Sequence, residues 1–451
     1  MTTSKPEEQT DYLAEILAAL ESEDSLKVQD ILADLHPADI AGVLEGIPPE
    51  QRHSVWRQVD PETMGEVLVE VPEAVRSDLL EDMDHSALVT AVQGLETDDI
   101  ADLLPELSAE VTAEILFFMD KQGRQRLDAV LSFPEDTAGG LMNVDAVTVR
   151  ENITLQVVLR YLRLRSELPE YMNELYVVDR THRLTGTLRL AKILTSDPKL
   201  LVRDVMDENT NKLTVLMPDR EVAAAFERYN LINAPVVDED GRLLGRITVD
   251  DVVDVIREEA DHSVMAPAGL SEEVDIFAPV IRSARDRAVW LGVNLITAVL
   301  ASWVIGLFED TIKKVIALAV LMPIVASMGG NAGTQTVTLV VRGLAVGTIT
   351  DANARRLLVR ELMVGVLNSM LWALIVALVA VAWFHNLALG LIIALAMIIN
   401  LVFAALAGVI IPVAVHRLGI DPALASGVAL TTVTDVVGFL AFLGLATLFL
   451  I

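Results

Sequence analysis

One carboxylate stands alone in the apolar end of the sequence. Asp435 lies in Thr431-Thr432-Val433-Thr434-Asp435-Val436-Val437-Gly438, near the middle of an otherwise uncharged stretch from Pro422 to Ile451. A carboxylate in hydrocarbon costs roughly 3 kcal/mol or more by insertion scales, so it needs a partner or a cation. Two chemistries fit: cation binding, or a neutral aspartic acid cementing a helix contact with help from Thr431 and Thr434. A second candidate is Met328-Gly329-Gly330-Asn331-Ala332-Gly333-Thr334-Gln335-Thr336, preceded by Pro323. Three glycines and a proline predict an interrupted helix. In a bilayer such a break is tolerated only where the backbone is buried in protein or lines a wet cavity. Gly329, Gly330, Asn331, Gly333, Thr431 and Thr434 are therefore candidate pore-lining residues, with close helix packing through small residues as the alternative. A third candidate is the acidic segment Val249–Ala266, whose Asp251, Asp254, Glu258 and Asp261 fall near one helix face at spacings of three and four. Like charges there repel, so a divalent cation or a basic partner would stabilise the face.

The elements that must position these residues are legible in hydropathy. Five stretches, roughly Ala288–Phe308, Val315–Val341, Leu362–Phe384, Asn386–Val415 and Pro422–Ile451, are uncharged or nearly so apart from Asp435. Each exceeds the ~20 residues a helix needs to cross the hydrocarbon core, and all are too long for barrel strands. Arg282, Arg285 and Arg287 precede the first; Arg342, Arg355, Arg356 and Arg360 separate the second and third; Arg417 separates the fourth and fifth. Only Lys313 and Lys314 fall on the other side, beside Glu309 and Asp310. The positive-inside rule then puts the N-terminal half in the cytosol and the C-terminus outside.

From Ala288 onward there are six acidic and seven basic residues, so of the overall net charge of −30 the first 287 residues carry −31. Such a surface repels nucleic acid and attracts cations. The absence of cysteine excludes disulfides and thiolate metal sites and fits a reducing compartment. The first 30 residues are acidic and broken by charges, unlike a signal peptide. From about Asp11 to Leu131, apolar residues recur at helical spacing between prolines, and Ala38–Leu44 is echoed 60 residues later by Asp98–Leu104. This predicts a small α-helical solenoid. A clearer repeat follows. Leu175-Tyr176-Val177-Val178-Asp179 is echoed 59 residues later by Ala234-Pro235-Val236-Val237-Asp238, and Thr185–Leu194 by Leu244–Val253. Each unit reads strand, turn, strand, helix, and the pair resembles tandem CBS modules, which are sensors, often for adenine nucleotides, and not catalysts. Nothing in the pair has the aromatic and basic character that would guarantee an ATP pocket, so ATP stays open as a ligand.

Solenoid, CBS pair, linking helix and five spans in this order resemble the MgtE family of Mg²⁺ channels. The most specific parts are Gly329–Gly333, Thr431–Asp435 with Val436 and Gly438, and Arg417-Leu418-Gly419-Ile420-Asp421-Pro422. The resemblance implies a multidomain membrane protein. Its parts would be an acidic α-helical N domain at 1–133, a tandem CBS domain at 134–257 (copies about 141–199 and 205–257), a connecting plug helix and linker at 249–287, and a five-helix pore domain at 288–451. It implies a homodimer in the plasma membrane with the pore between subunits, Asp435 of both chains holding a largely hydrated Mg²⁺, and Asp421 as a cytosolic-mouth carboxylate. Mg²⁺ gives up its water reluctantly, which fits such a site. It also implies closure by cytosolic Mg²⁺ held between domains, where the matching acids are Asp98, Asp99 and Asp102 in the solenoid and Asp251, Asp254 and Glu259 on the plug. One departure is that the second CBS copy reads Met217-Pro218-Asp219-Arg220-Glu221, with Asn230 beyond, where family members often carry more carboxylates. The rival readings are a transporter of another divalent ion such as Mn²⁺ or Co²⁺, which the all-oxygen donor set does not exclude, and a membrane-anchored nucleotide sensor. No nucleophile–base constellation, Walker loop or histidine cluster points to an enzyme, and without an ATPase motif the flux would be passive.

Overall fold

A computed structural model of the chain describes residues 6–92, 94–119, 121–165, 168–169, 171–271, 274–350 and 352–451. The first five residues of the expected helical domain, and Asp351 among the acids of the membrane half, lie outside the described residues. The chain divides into two units. One is Met1–Ala260 with Glu273–Pro279, the other Asp261–Glu272 with Val280–Ile451.

In the first unit, ten α-helices are described from Pro6–Glu21 to Lys121–Val130. Pro37 and Pro49 sit in the first turns of their helices, where a missing N–H is no loss. The 60-residue echo is structural: helix Pro37–Glu45 buries Ile40, Ala41, Val43 and Leu44, and helix Thr97–Leu103 buries Ile100, Ala101 and Leu103. One continuous apolar core runs from Ile16 to Val130. Arg52 is fully buried in this layer. Its Nε donates to the Leu44 carbonyl at 2.9 Å and its Nη2 to the Ile47 carbonyl at 3.1 Å. Nη1 donates to Asp275 at 2.9 Å and to Asp78 at 3.4 Å.

The CBS repeat folds into two three-stranded sheets of the same topology. In the first, β1 (Thr148–Val149) pairs parallel with β2 (Glu174–Val178), which pairs antiparallel with β3 (Leu184–Arg189). In the second, β4 (Leu213–Thr214), β5 (Asn233–Val237) and β6 (Leu243–Thr248) repeat the order. The two meet at a joint of Tyr176, Val178, Leu184, Val237 and Leu243. Segments are exchanged between copies. Ala138 and Met142 pack into the second copy's core, although Leu141 was the expected start of the first, while Val202 packs into the first. Asn230, the departure noted above, has φ +51° and ends helix Asp219–Tyr229 in the left-handed conformation, which asparagine tolerates better than most residues.

The second unit holds five helices long and apolar enough to cross a membrane: Val280–Gly306, Ala317–Ala345, Ala354–Phe384, Leu387–Arg417 and Pro422–Leu450. The first and third begin ahead of the apolar stretches and take in Arg282, Arg285, Arg287, Arg355, Arg356 and Arg360, long side chains that can reach the interface. Lys313 is paired with Glu309 at 2.6 Å in a short helix between the first two spans, which offsets a positive charge on the unexpected side. The fourth span is central and packs against the second, third and fifth; the first packs on the fifth.

The expected interruption of the second span is not there. Ala317–Ala345 is one helix with Pro323 inside it. The glycines are explained by close approach instead. A Cβ on Gly329 would collide with Asn400, and one on Gly333 would lie 2.7 Å from Leu430. At Gly330 it would meet nothing within 4 Å.

Candidate functional site

Asp435 sits midway along the fifth span and is partly exposed. No hydrogen bond or ion pair joins it to another described residue. The threonines do not satisfy it. Thr431 Oγ1 donates to the Gly427 carbonyl at 3.0 Å and Thr434 Oγ1 to the Thr431 carbonyl at 3.1 Å, both within their own helix. Among the described residues the cementing alternative therefore has no donor for the carboxylate.

The candidate pore-lining set divides. Gly329, Gly333 and Thr434 are buried in helix contacts, whereas Asn331 and Thr431 are exposed and Gly330 is open to added volume. Reasoning from the glycine motif missed a stripe on the second span. Ser327, Asn331, Thr334, Gln335 and Thr338 are all exposed, at spacings of three and four, on one face of a membrane helix. The signal was present in the sequence as polar residues at helical period, hidden by the expectation of a break. Polar side chains on a lipid-facing surface are costly, so this face calls for a partner or water.

Asp421 caps the fifth span: its Oδ1 accepts from the Ala423 N–H at 2.9 Å. Its Oδ2 lies 2.7 Å from His262 Nε2, on the last turn of helix Val249–Met265. The 3₁₀ turn Ala266–Ala268 that follows also packs on the fifth span. His262 was not among the sequence candidates.

In the first unit the structure brings Asp98, Asp99 and Asp251 together with Glu96 and Asp250. Asp98 is buried with Asn143 Nδ2 at 3.4 Å, and Asn143 also bonds Glu96. Burial, with Asp251, Asp99 and Glu96 adding repulsion, pushes the Asp98 carboxyl up to about 9. Burial and Glu96 raise Asp99 to about 7; burial and Asp250 raise Asp251 to about 7, against the bonds it accepts from Thr248. Asp102 keeps contact with solvent and is raised to about 6 by partial desolvation, with Arg76 pulling it down. One oxygen of Asp250 is buried with no hydrogen-bond partner among the described residues. Crowded carboxylates with an orphaned oxygen fit a cation, although among the described residues no three His, Cys, Asp or Glu side chains converge closely enough to hold one as they stand.

Two expected ligands lie elsewhere. Glu259, outside the face of Asp251, Asp254, Glu258 and Asp261, pairs with Arg220 Nε at 2.6 Å from the departing segment of the second CBS copy. Asp254 and Glu258 belong to a second group with Glu45 and Glu70. Burial raises all four, and Arg257 lowers each. Between the CBS copies lies a cavity of about 390 Å³ of mixed lining, with Glu174, Arg189, Asp207 and Tyr229 beside apolar Leu231 and Ile232.

Family models match in chain order: the MgtE intracellular N domain at 35–136, a CBS domain at 202–258, and the MgtE divalent cation transporter region at 322–445. Magnesium transporter MgtE of Thermus thermophilus is 31% identical over 437 residues, covering 96% of this chain and 97% of that protein. The chain belongs to the MgtE family of magnesium transporters. Magnesium transporter MgtE of Bacillus subtilis is 28% identical over 427 residues, covering 94% of this chain and 95% of that protein. A crystal structure of the cytosolic domain of the Mg²⁺ channel MgtE in complex with ATP is 30% identical, covering 54% of this chain and 99% of that one, at a TM-score of 0.49. MgtE membership accounts for the order of helical domain, CBS pair and membrane helices seen here, and the relatives named are magnesium transporters.

Proposed function

We propose that this MgtE-family chain conducts Mg²⁺ passively into the cell across the plasma membrane, with its first unit in the cytosol and its C-terminus outside. The observation that carries the reading is Asp435, a carboxylate midway along a membrane helix with no hydrogen-bond or ion-pair partner among the described residues. The only polar side chains in the segment Thr431–Gly438 are Asp435 and three threonines, all oxygen donors, and the chain has no cysteine. Oxygen donors and a carboxylate suit a hard, hydrated divalent ion, with Mn²⁺ and Co²⁺ as the rivals. The exposed polar face of the second span supports a pore shared by two copies, each supplying one Asp435.

Closure by cytosolic Mg²⁺ is the second part of the proposal. At low Mg²⁺ the carboxylates around Asp98 and Asp251 repel or hold protons, and a divalent ion would replace those protons and draw the helical layer onto the connecting helix. Asp99, Asp102 and Asp254 would enlarge that field. The contact of His262 with Asp421 supports a connecting helix that ends on the cation-entry carboxylate. For the cavity between the CBS copies we carry ATP as the occupant. Tyr229 would face the base, and Arg189 would offset phosphate charge.

The test is Mg²⁺ flux into proteoliposomes by the wild-type chain and Asp435→Ala, with Mg²⁺ varied on the side of the first unit. Flux that vanishes in a folded Asp435→Ala supports the permeation site. Equal flux in both makes Asp435 structural and sinks the assignment. Flux of Mn²⁺ or Co²⁺ but not Mg²⁺ moves the function to the rival ion.

A further inference from the structure

We infer that Asn400 is a positioning residue for permeation, setting the second span against the fifth at the level of Asp435. Asn400 lies in the fourth span and is completely buried. Its Nδ2 donates to the Val325 carbonyl of the second span at 2.8 Å. That bond fixes the amide's orientation, because only the NH₂ end can face a carbonyl. The side chain fills the space that two glycines leave open. A Cβ on Gly329 would collide with it, and a Cβ on Gly438 would lie 2.7 Å from Nδ2 and 3.3 Å from Oδ1. Gly329 belongs to the polar segment of the second span. Gly438 lies three residues beyond Asp435, about one helical turn. One amide from behind therefore spaces the two segments that carry the candidate ion-facing groups.

The chemistry of the amide argues against packing alone. Oδ1 is buried and has no hydrogen-bond partner among the described residues. A buried acceptor without a donor is unfavourable, and a leucine of similar volume would fill the gap without that penalty. What leucine cannot supply is the bond to Val325. That bond ties the second span to the fourth at one height, and Gly438 rests on the same amide, so the height is passed to Asp435 through the fifth span. The inference rests on the reading that Asp435 holds the permeating cation.

The experiment uses the full chain in proteoliposomes and measures initial Mg²⁺ and Mn²⁺ flux against concentration. The variants are Asn400→Leu, which keeps volume and loses the amide, and Gly438→Ala, which keeps the amide and displaces it. Ser369→Ala is the control, a buried hydroxyl in the third span that donates only to its own helix at the Val366 carbonyl. Asn400→Leu and Gly438→Ala are expected to raise the half-saturating Mg²⁺ concentration by about fivefold, what one ordinary hydrogen bond amounts to, and to change the Mg²⁺-to-Mn²⁺ flux ratio. Ser369→Ala is expected to change neither. A merely structural role would lower the melting temperature or yield while the surviving protein kept its half-saturation and ion ratio, and that result overturns the inference. If Asn400→Leu does not fold, Gly438→Ala decides alone by the same two readouts. Wild-type protein that carries no divalent flux overturns the transport reading and this inference with it; wild-type flux with unmoved variants overturns this inference only.

Discussion

Asp98 is the residue on which the regulatory reading turns, because it is buried, acidic and crowded by other acids. A carboxyl whose folded pKa is raised binds its proton more tightly folded than unfolded. The stability this allows is fully present below the ordinary value of 3.8 and is lost as pH rises through the folded values, about 6 for Asp102, about 7 for Asp99 and Asp251 and about 9 for Asp98. In EDTA, the first unit's melting transition is therefore expected to fall between about pH 5 and about pH 9. Millimolar Mg²⁺ should flatten that fall, and Asp98→Asn should flatten it without Mg²⁺. A transition equally high across the range in EDTA would show that the carboxylates are relieved some other way. Glu259 predicts a contrast. Its ion pair with Arg220 is partly exposed, so Arg220→Ala should change the transition by no more than about 1 kcal/mol while altering the Mg²⁺ dependence of flux. Flux that responds to Mg²⁺ as in the wild type would confine Glu259 to a surface pair. Family resemblance singled out Asp98, Asp99, Asp102, Asp251, Asp254 and Glu259 in the sequence, and of these Asp98, Asp99 and Asp251 lie close enough to repel one another. It did not show Arg220 beside Glu259, because the two come together only when the second CBS helix packs near the connecting helix.

At the scale of the element, the second span holds the largest difference between sequence and structure. Glycine and proline lower helix propensity, and in isolation Gly329–Gly333 reads as a break. The compensation comes from Asn400 and Leu430, which press into the places of the missing side chains and whose relation to the second span no local pattern reveals. The packing predicts an asymmetry between neighbouring glycines. Gly333→Ala should lower the melting temperature in detergent by the equivalent of about 1–3 kcal/mol, whereas Gly330→Ala should be tolerated. Equal tolerance at both positions would contradict the close contact with Leu430. Hydropathy alone located all five spans, since a long uncharged run has few alternatives, but it set their ends late, because arginine stems extend helices past the hydrocarbon boundary.

At the scale of the whole molecule, the exposed polar face of the second span predicts association. Because the chain has no cysteine, Thr431→Cys introduces a single thiol on an exposed, ion-facing candidate position. Oxidation in the membrane is expected to yield a covalent dimer, while Leu448→Cys, exposed on the same helix among apolar residues, is expected to remain monomeric. A monomer from both would place Thr431 of the fifth span away from any two-fold axis. Domain order was readable from repeats and hydropathy; long-range pairs were not. The buried Arg52 is the clearest of these, and it bears on the order of synthesis. Its main counter-charge, Asp275, is 223 residues downstream, while the nearer Asp78 is at 3.4 Å and a third exposed. Domains fold from the N-terminus as they leave the ribosome. The charge pairing of Arg52 in the helical layer is therefore completed only by residues synthesised just ahead of the first long apolar helix, Val280–Gly306, so this layer cannot settle its buried charge before nearly the whole of the first unit has been made.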